Sequence, residues 1–136
     1  MSEDIWAFEH DVTATPEHID ELGHVNNAEW VRWIQDIAVS HWHAVAPAEH
    51  REKYIWVVSR HEIDYRDNIK AGEPAHGRTR VSGEPRGARF DREVQFVDSK
   101  GKVLVSALTR WAMLDRETMR PARITSEIAA PFLVRT

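Results

Sequence analysis

Residues 20–30 read DELGHVNNAEW and stand directly before a long stretch of apolar residues with helical spacing. The apolar side chains that follow recur every three or four positions, which predicts an amphipathic helix with a wide apolar stripe. Asn26 is a suitable N-cap, Glu29 three positions later is compatible with a capping box, and Pro47 ends the pattern. The sequence therefore predicts a helix of roughly 20 residues, about 30 Å long. Its tryptophans, Trp30, Trp33 and Trp42, suggest that a sheet wraps around it.

Strand patterns lie on both sides of this helix. One precedes it at residues 5–13, and four follow it, with near-alternating β-forming residues at 54–66, 75–82, 88–97 and 102–114. Residues 83–87, GEPRG, and residues 98–101, DSKG, have turn chemistry. The order predicts an α+β fold in which an antiparallel β-sheet wraps around one long central helix, as a single domain over residues 1–136.

The bulk composition excludes several classes of protein. A chain of 136 residues with 42% hydrophobic and 29% charged residues is typical of one globular domain. A net charge of −4 argues against nucleic-acid binding. The absence of cysteine excludes disulfides, thiolate zinc sites and cysteine nucleophiles. Neither a secretory h-region at the first residues nor a membrane-spanning apolar run is present, so a cytoplasmic location and no membrane partner are expected.

The last predicted strand has apolar residues on both faces. Val105, Ala107 and Trp111 alternate on one face, whereas Leu104 and Leu108 belong to the other. A sheet that is apolar on both sides and has one helix to cover it needs a second cover. We therefore expect a homo-oligomer.

The residues ahead of the helix could form a reaction centre. The first backbone N–H groups of a helix point outward and carry partial positive charge, so the N–H of Asn27 could polarise a carbonyl oxygen. Asp20 is close enough in sequence to attack that carbonyl or to activate a water molecule. Gly23 would let the loop pass beneath a substrate, and His24 or Asn26 could orient the water or the carboxylate. Turn, cap and surface roles also account for each of these residues separately.

The segment DELGHVNNAEWVRW resembles the D-x-x-G-H-V-N-N-x-x-Y/W signature of hotdog-fold acyl thioesterases, the group of 4-hydroxybenzoyl-CoA thioesterase-like and acyl-ACP thioesterase-like enzymes. HEIDYRDNIKAGE resembles the family's second strand and turn, and FVDSKGKVLVSALTRWAMLDRETMRP its last hairpin and tail, so the similarity extends from about residue 5 to residue 128. The resemblance implies a hotdog fold, assembly as homodimers or homotetramers, and an acyl-CoA or acyl-carrier-protein thioester as substrate.

The same resemblance implies roles for individual residues. Asp20 corresponds to the catalytic carboxylate and Asn27 to the backbone donor, whereas His24 and Asn26 match motif positions whose roles vary. Trp30 corresponds to an aromatic wall for the substrate. Many relatives have glutamate at position 35 and arginine at position 39, where this chain has glutamine and valine.

Arginines are the candidate phosphate ligands, because guanidinium groups bind phosphate in a bidentate manner and coenzyme A carries phosphates. Arg86 and Arg89 occupy a turn, and Arg60 precedes a strand histidine. Each could equally be an ordinary solvated charge. The proposed chemistry requires no metal and no cofactor other than the coenzyme A of the substrate, and His18, Asp20 and His24 do not have the spacing of a metal motif.

The sequence thus predicts an acyl-CoA thioesterase that uses an aspartate as nucleophile or general base. Two alternatives remain: a hotdog hydratase or dehydratase acting on acyl thioesters, and a non-catalytic acyl-CoA-binding module.

Overall fold

The computed structural model describes residues 5–134. Its helices and strands, in chain order, are β1 (Phe8–Thr13), α1 (Asn27–Val45), α2 (Ala48–Lys53), β2 (Tyr54–Tyr65), β3 (Pro74–Arg86), β4 (Arg89–Val97), β5 (Val103–Asp115) and α3 (Ser126–Ala129). Short 3₁₀ turns cover Pro16–His18 and Ala130–Leu133.

The strands form one antiparallel sheet with the order β1-β3-β4-β5-β2. Helix α1 packs against the inner face of this sheet and supplies Trp30, Ile34 and Ile37 to a core that includes Phe96 and Val105. Burial of these apolar side chains is the main source of stability for such a two-layer arrangement. The predicted hotdog layout, a sheet around one long helix, is confirmed.

The boundaries of α1 follow the sequence signals. The Asn26 side chain accepts a hydrogen bond from the N–H of Ala28 at 2.8 Å, so the predicted N-cap is confirmed. The helix has 19 residues and ends just before Pro47. The Glu29 carboxylate does not close a capping box but lies 3.6 Å from Nε of Arg32.

Several local predictions were wrong. Helices α2 and α3 were not predicted, and β1 begins at Phe8 rather than at residue 5. The expected turn at residues 83–87 is shorter, because β3 continues to Arg86, which pairs with Arg89 across Gly87 and Ala88. The pairing of β3 with β4 is irregular between Ser82 and Arg86, so residues 83–85 belong to the strand and not to the turn.

Leu104 was predicted on the outer face but lies in the core, where 1% of its surface is exposed. The cause is a bulge: Phe96 pairs with Val105 while Val97 pairs with Val103, so one extra residue enters β5. A one-residue insertion turns a side chain to the opposite face of the sheet.

The outer face is more polar than the sequence predicted. Salt bridges join Arg80 to Glu93 at 3.0 Å and Arg60 to Glu62 at 2.7 Å, and a third joins Asp91 to an arginine of β5. Leu108, with 38% of its surface exposed, lies among these charges. The expectation of an apolar outer face therefore holds only in part, which weakens the argument for an oligomer that rested on it.

A second core cluster closes the C-terminal end of α1. Phe132 stacks on Trp42 with ring centroids 5.6 Å apart, and Ile128 and Phe90 belong to the same cluster. The C-terminal segment therefore covers the part of the helix that the strands leave open.

Candidate active site

The loop before α1 is a tight hairpin fixed by backbone hydrogen bonds. Ile19 and Val25 form an antiparallel bridge, and the N–H of Asp20 donates to the carbonyl of His24 at 2.9 Å. The next bond in the ladder runs from the N–H of Asn26 to the carbonyl of His18 at 2.9 Å. The loop is thereby held against the first turn of the helix.

Asp20 stabilises this hairpin with its own side chain. Its Oδ1 accepts hydrogen bonds from the N–H of Leu22 at 2.9 Å and from the N–H of His24 at 3.5 Å. The structural role that aspartates often have in turns is therefore present here. Oδ2 has no partner within residues 5–134, so one carboxylate oxygen remains available to a ligand or to water.

The N–H of Asn27, which the sequence suggested as a donor, lies at the start of α1. Asn26 caps the N–H of Ala28, whereas no acceptor within the described part of the chain contacts the N–H of Asn27. Asn27 is the first residue of the helix, where the N–H groups point outward and carry partial positive charge. Asp20 is the backbone pairing partner of His24. His24 is three residues from Asn27, a span of at most about 11 Å along the chain.

Gly23 and His24 belong to the same turn. Gly23 has φ +82°, and a Cβ built on it would meet nothing within 4 Å. The glycine is therefore required by its backbone conformation and not by a close approach of protein atoms. His24 is exposed. The pKa of Asp67 is lowered mainly by its hydrogen bond with Lys102 and to a smaller extent by the nearby charge of His24.

Trp30 occupies the core behind this loop. None of its surface is exposed, and its ring makes edge contacts with Trp33 at 5.1 Å and lies 5.7 Å from Phe96. In the single chain the ring therefore packs against protein atoms on every side, so it supports the helix start from behind.

The candidate phosphate ligands lie elsewhere. Arg86 and Arg89 pair across the β3–β4 hairpin and line a polar cleft with Glu84 and Asp91. Arg89 pairs with Ala112 of β5. The segment that contacts the loop before α1, residues 66–69, instead hydrogen-bonds to the carbonyl of Leu104 near the other end of β5. Eight residues of β5 separate the two, about 27 Å along a strand. Arg60 is on the outer face, ion-paired with Glu62.

A polar contact between α1 and β2 was not predicted. Nε2 of Gln35 lies 3.3 Å from Nε2 of His61, and Nδ1 of His61 lies 3.2 Å from Oγ1 of Thr109. Burial lowers the pKa of His61. Alternation along β2 was the available signal, because it places His61 with Ile63 on the inner face.

Sequence reasoning also missed a buried pair between α1 and β4. Nη1 of Arg92 lies 3.0 Å from Nδ1 of His41, and both side chains are buried. Alternation in β4 could have revealed this, since Arg92 falls in phase with Phe90, Val94 and Phe96.

Within residues 5–134, no group of three or more histidine, aspartate or glutamate side chains is arranged to hold a metal ion. None of the helices in that part of the chain has the length and apolar character needed to cross a membrane.

Comparison with known proteins identifies the family. Residues 14–132 match the thioesterase-like superfamily, so the chain belongs to that superfamily, and membership identifies it as a thioester hydrolase. No match was found among curated protein sequences.

Solved structures agree on the fold. A thioesterase from Thermus thermophilus, crystallised with coenzyme A and Zn, is 22% identical with a TM-score of 0.81, and the match covers 95% of this chain and 93% of that one. A probable thioesterase from Bartonella henselae is 21% identical with a TM-score of 0.75, over 89% of this chain and 100% of that one. A 1,4-dihydroxy-2-naphthoyl-CoA thioesterase from Synechocystis is 11% identical with a TM-score of 0.77, over 92% and 94% of the two chains.

Proposed function

We propose that the chain hydrolyses acyl-CoA thioesters at the hairpin that precedes α1. The thioester carbonyl oxygen accepts a hydrogen bond from the N–H of Asn27. The Asp20 carboxylate attacks the carbonyl carbon or removes a proton from the water that does so. The C–S bond then breaks, and the acid and the coenzyme A thiol are released after addition of one water molecule in total.

The observation that carries this proposal is the hydrogen-bonded ladder between the hairpin and the helix start. It fixes a carboxylate with one unpartnered oxygen beside a helix whose first N–H has no acceptor within the described residues. A donor in place before the reaction stabilises the negative charge that develops on the carbonyl oxygen without reorganisation. Gly23 and Asn26 maintain this geometry, and His24 lies beside the carboxylate, where it can orient water.

Coenzyme A, as part of the substrate, requires a phosphate site. The side chains of Arg86 and Arg89 have no hydrogen-bond partner within residues 5–134, and they lie opposite each other on the hairpin. The two arginines are, however, about 27 Å along β5 from Leu104, which marks the end of the sheet that carries Asp20. They are therefore too far away to bind the same substrate as Asp20 of their own chain.

A homodimer through β2 would remove this separation. β2 has 12 residues and lies at the edge of the sheet, where β5 is its only partner strand within residues 5–134. A long unpaired edge is a template for pairing with a second chain. Two copies joined antiparallel through β2 would place the arginine hairpin of one copy at the end of the sheet that carries Asp20 of the other. Arg60 lies on the same edge strand and would face that junction.

The test is thiol release from short, medium, long and aromatic acyl-CoAs, followed with a thiol-reactive dye. The chain has no cysteine, so the protein gives no background. Asp20→Asn retains the oxygen that closes the turn and removes the charge, and we expect it to lose at least about a hundredfold in kcat, the typical contribution of such a group. Glu21→Gln, the same change at the next residue, is the matched control and should retain activity.

Activity that Asp20→Asn retains would overturn the role of this carboxylate. Loss of the absorbance of the conjugated enoyl thioester in crotonyl-CoA, without thiol release, would instead identify a hydratase. Stabilisation by coenzyme A without any turnover would identify a binding module. Light scattering tests the dimer, and a monomeric mass would contradict it.

A further inference from the structure

A narrow apolar cleft opens at the C-terminal half of α1, away from the hairpin. Ala38, Val39 and Trp42 of the helix line one side, and Trp56, Val81, Phe90, Trp111 and Phe132 line the other. Trp42 is 15 residues along α1 from Asn27, about 22 Å at the rise of a helix. Packed core residues, including Ile34 and Ile37, occupy the intervening layer.

Arg92 forms the floor of this cleft. Only 5% of its surface is exposed. Nη1 hydrogen-bonds to Nδ1 of His41 and to Oγ1 of Thr79, both at 3.0 Å, and the guanidinium carbon lies 5.5 Å from the centre of the Phe132 ring. No carboxylate within residues 5–134 forms a salt bridge with it.

The neighbouring charges leave this cation uncompensated. Asp91 also borders the cleft, but its carboxylate pairs with Arg110 at 3.4 Å on the outer face. Burial, with the Arg92 charge as a smaller cause, lowers the pKa of His41 to about 3, so its ring is neutral near pH 7. Thr79 donates its own hydroxyl to the carbonyl of Glu93 at 2.8 Å. A buried charge without a counterion is costly, which favours an anion as its partner.

The guanidinium of Arg92 retains free donors. Within the described residues, its Nε and Nη2 have no acceptor. Carboxylate oxygens are acceptors only and fit a guanidinium in a bidentate manner. Aromatic walls around such a site favour an apolar body on the ligand.

We propose that this cleft binds a small monocarboxylic acid with an aromatic or branched apolar body, whose carboxylate pairs with Arg92. The site is separate from the hairpin that precedes α1, and the proposal does not depend on the acyl-CoA hydrolysis proposed there. Two sources share this ligand chemistry: a free acid, and the distal carboxylate of an acyl thioester. We commit to the free acid.

The experiment titrates the full-length protein with phenylacetate and with phenylacetamide, its neutral isostere, by calorimetry. We expect saturable binding of phenylacetate at least about tenfold tighter than binding of the amide, the discrimination of one charge-assisted hydrogen bond. Arg92→Met should abolish this preference. Arg123→Met, the same change at an exposed arginine, should retain it. No saturable binding, equal affinity for the amide, or a preference that survives Arg92→Met would overturn the proposal.

Val39→Trp provides a variant that leaves Arg92 in place. Val39 is at the cleft mouth with 44% of its surface exposed, so a larger side chain there obstructs entry without disturbing the core. We expect it to weaken phenylacetate binding at least about tenfold, the loss of one such interaction. Unchanged affinity would place the ligand elsewhere.

Two further readouts locate the site. In NMR spectra of the indole N–H groups, phenylacetate should shift the signals of Trp56 and Trp111 more than that of Trp30, and the reverse would contradict the assignment. In the thiol-release assay, phenylacetate should leave KM for acyl-CoA unchanged. A competitive increase in KM would assign the acid to the thioester site and overturn a separate one.

Discussion

The guanidinium of Arg92 and the imidazole of His41 form a buried contact of 3.0 Å without a carboxylate in contact with either side chain among residues 5–134. The contact joins the middle of β4 to the C-terminal half of α1, and Phe8 stacks on the histidine ring at 5.2 Å. Because Nδ1 accepts from the arginine, protonation of the ring would place two positive charges side by side in the core. The pair therefore has consequences for stability that depend on pH.

His41→Gln should change the acid sensitivity of folding. In the unfolded chain the histidine titrates near 6.5, the ordinary pKa of histidine, whereas burial and the charge of Arg92 lower its pKa to about 3 in the folded protein. Between these values the unfolded chain binds a proton that the folded protein does not, so the free energy of unfolding falls as the pH decreases from 6.5 towards 3. The limiting slope is about 1.4 kcal/mol per pH unit. Glutamine can still accept from Arg92 but does not titrate, so its slope should be smaller.

Urea unfolding at a series of pH values measures this difference. Wild type should lose roughly 3 kcal/mol relative to His41→Gln between neutral pH and about pH 4. His43→Gln, which replaces an exposed histidine of the same helix, is the comparison for the general effect of removing a histidine. If the two variants have the same slope, the buried ring does titrate normally.

The sequence predicts the fold well because its strongest signals are local. The helical spacing, the Asn26 cap and Pro47 fix α1, and alternation identifies the strands. Positions that depend on tertiary contacts were harder to predict from the sequence. Leu104 changes face through a bulge that pairing with β4 determines, and the helix that carries Ile128 is too short to have a clear period.

The candidate site was predictable in one part only. Asp20, Gly23, Asn26 and Asn27 are adjacent in sequence, so their proximity is largely a local property. Arg92 was not recognised as a buried residue, although the alternation of β4 assigns it to the inner face. A charged side chain is ordinarily expected at the surface, so its position in the strand pattern was the only signal.

Gly77→Ala should destabilise the protein through a steric conflict beneath α1. A Cβ at this position would lie 2.6 Å from Cε1 of Phe96, 2.8 Å from the carbonyl oxygen of His10 and 3.0 Å from Cδ1 of Ile37. The carbonyl belongs to the β1 backbone and cannot move without disturbing the β1–β3 pairing. We expect a loss of about 2–3 kcal/mol in the free energy of unfolding, the upper part of the range for overpacking. Urea unfolding measures it, and a loss below about 1 kcal/mol would mean that β1 shifts easily.

Gly23→Ala should have a smaller effect on stability and a larger one on activity. The position has open space around it but φ +82°, so the cost of alanine is conformational, about 1–2 kcal/mol. Relief of that strain would move the hairpin that holds Asp20. Gly23→Asn is the matched variant, because asparagine tolerates this conformation. We expect it to keep more thiol-release activity than the alanine variant, and equal activities would argue against a role for this turn geometry.

Gln35→Glu tests the contact between α1 and β2. The substitution puts a carboxylate where the amide now lies 3.3 Å from Nε2 of His61. Burial lowers the pKa of this histidine in the native protein, whereas an adjacent negative charge favours the protonated ring. We expect the pKa of His61 to rise by about one unit or more, measured by NMR titration of its ring protons. Gln35→Met, which has similar length and no charge, controls for loss of the amide and should not raise it. If glutamate leaves the pKa unchanged, the two side chains do not meet in solution, and position 35 cannot act on His61.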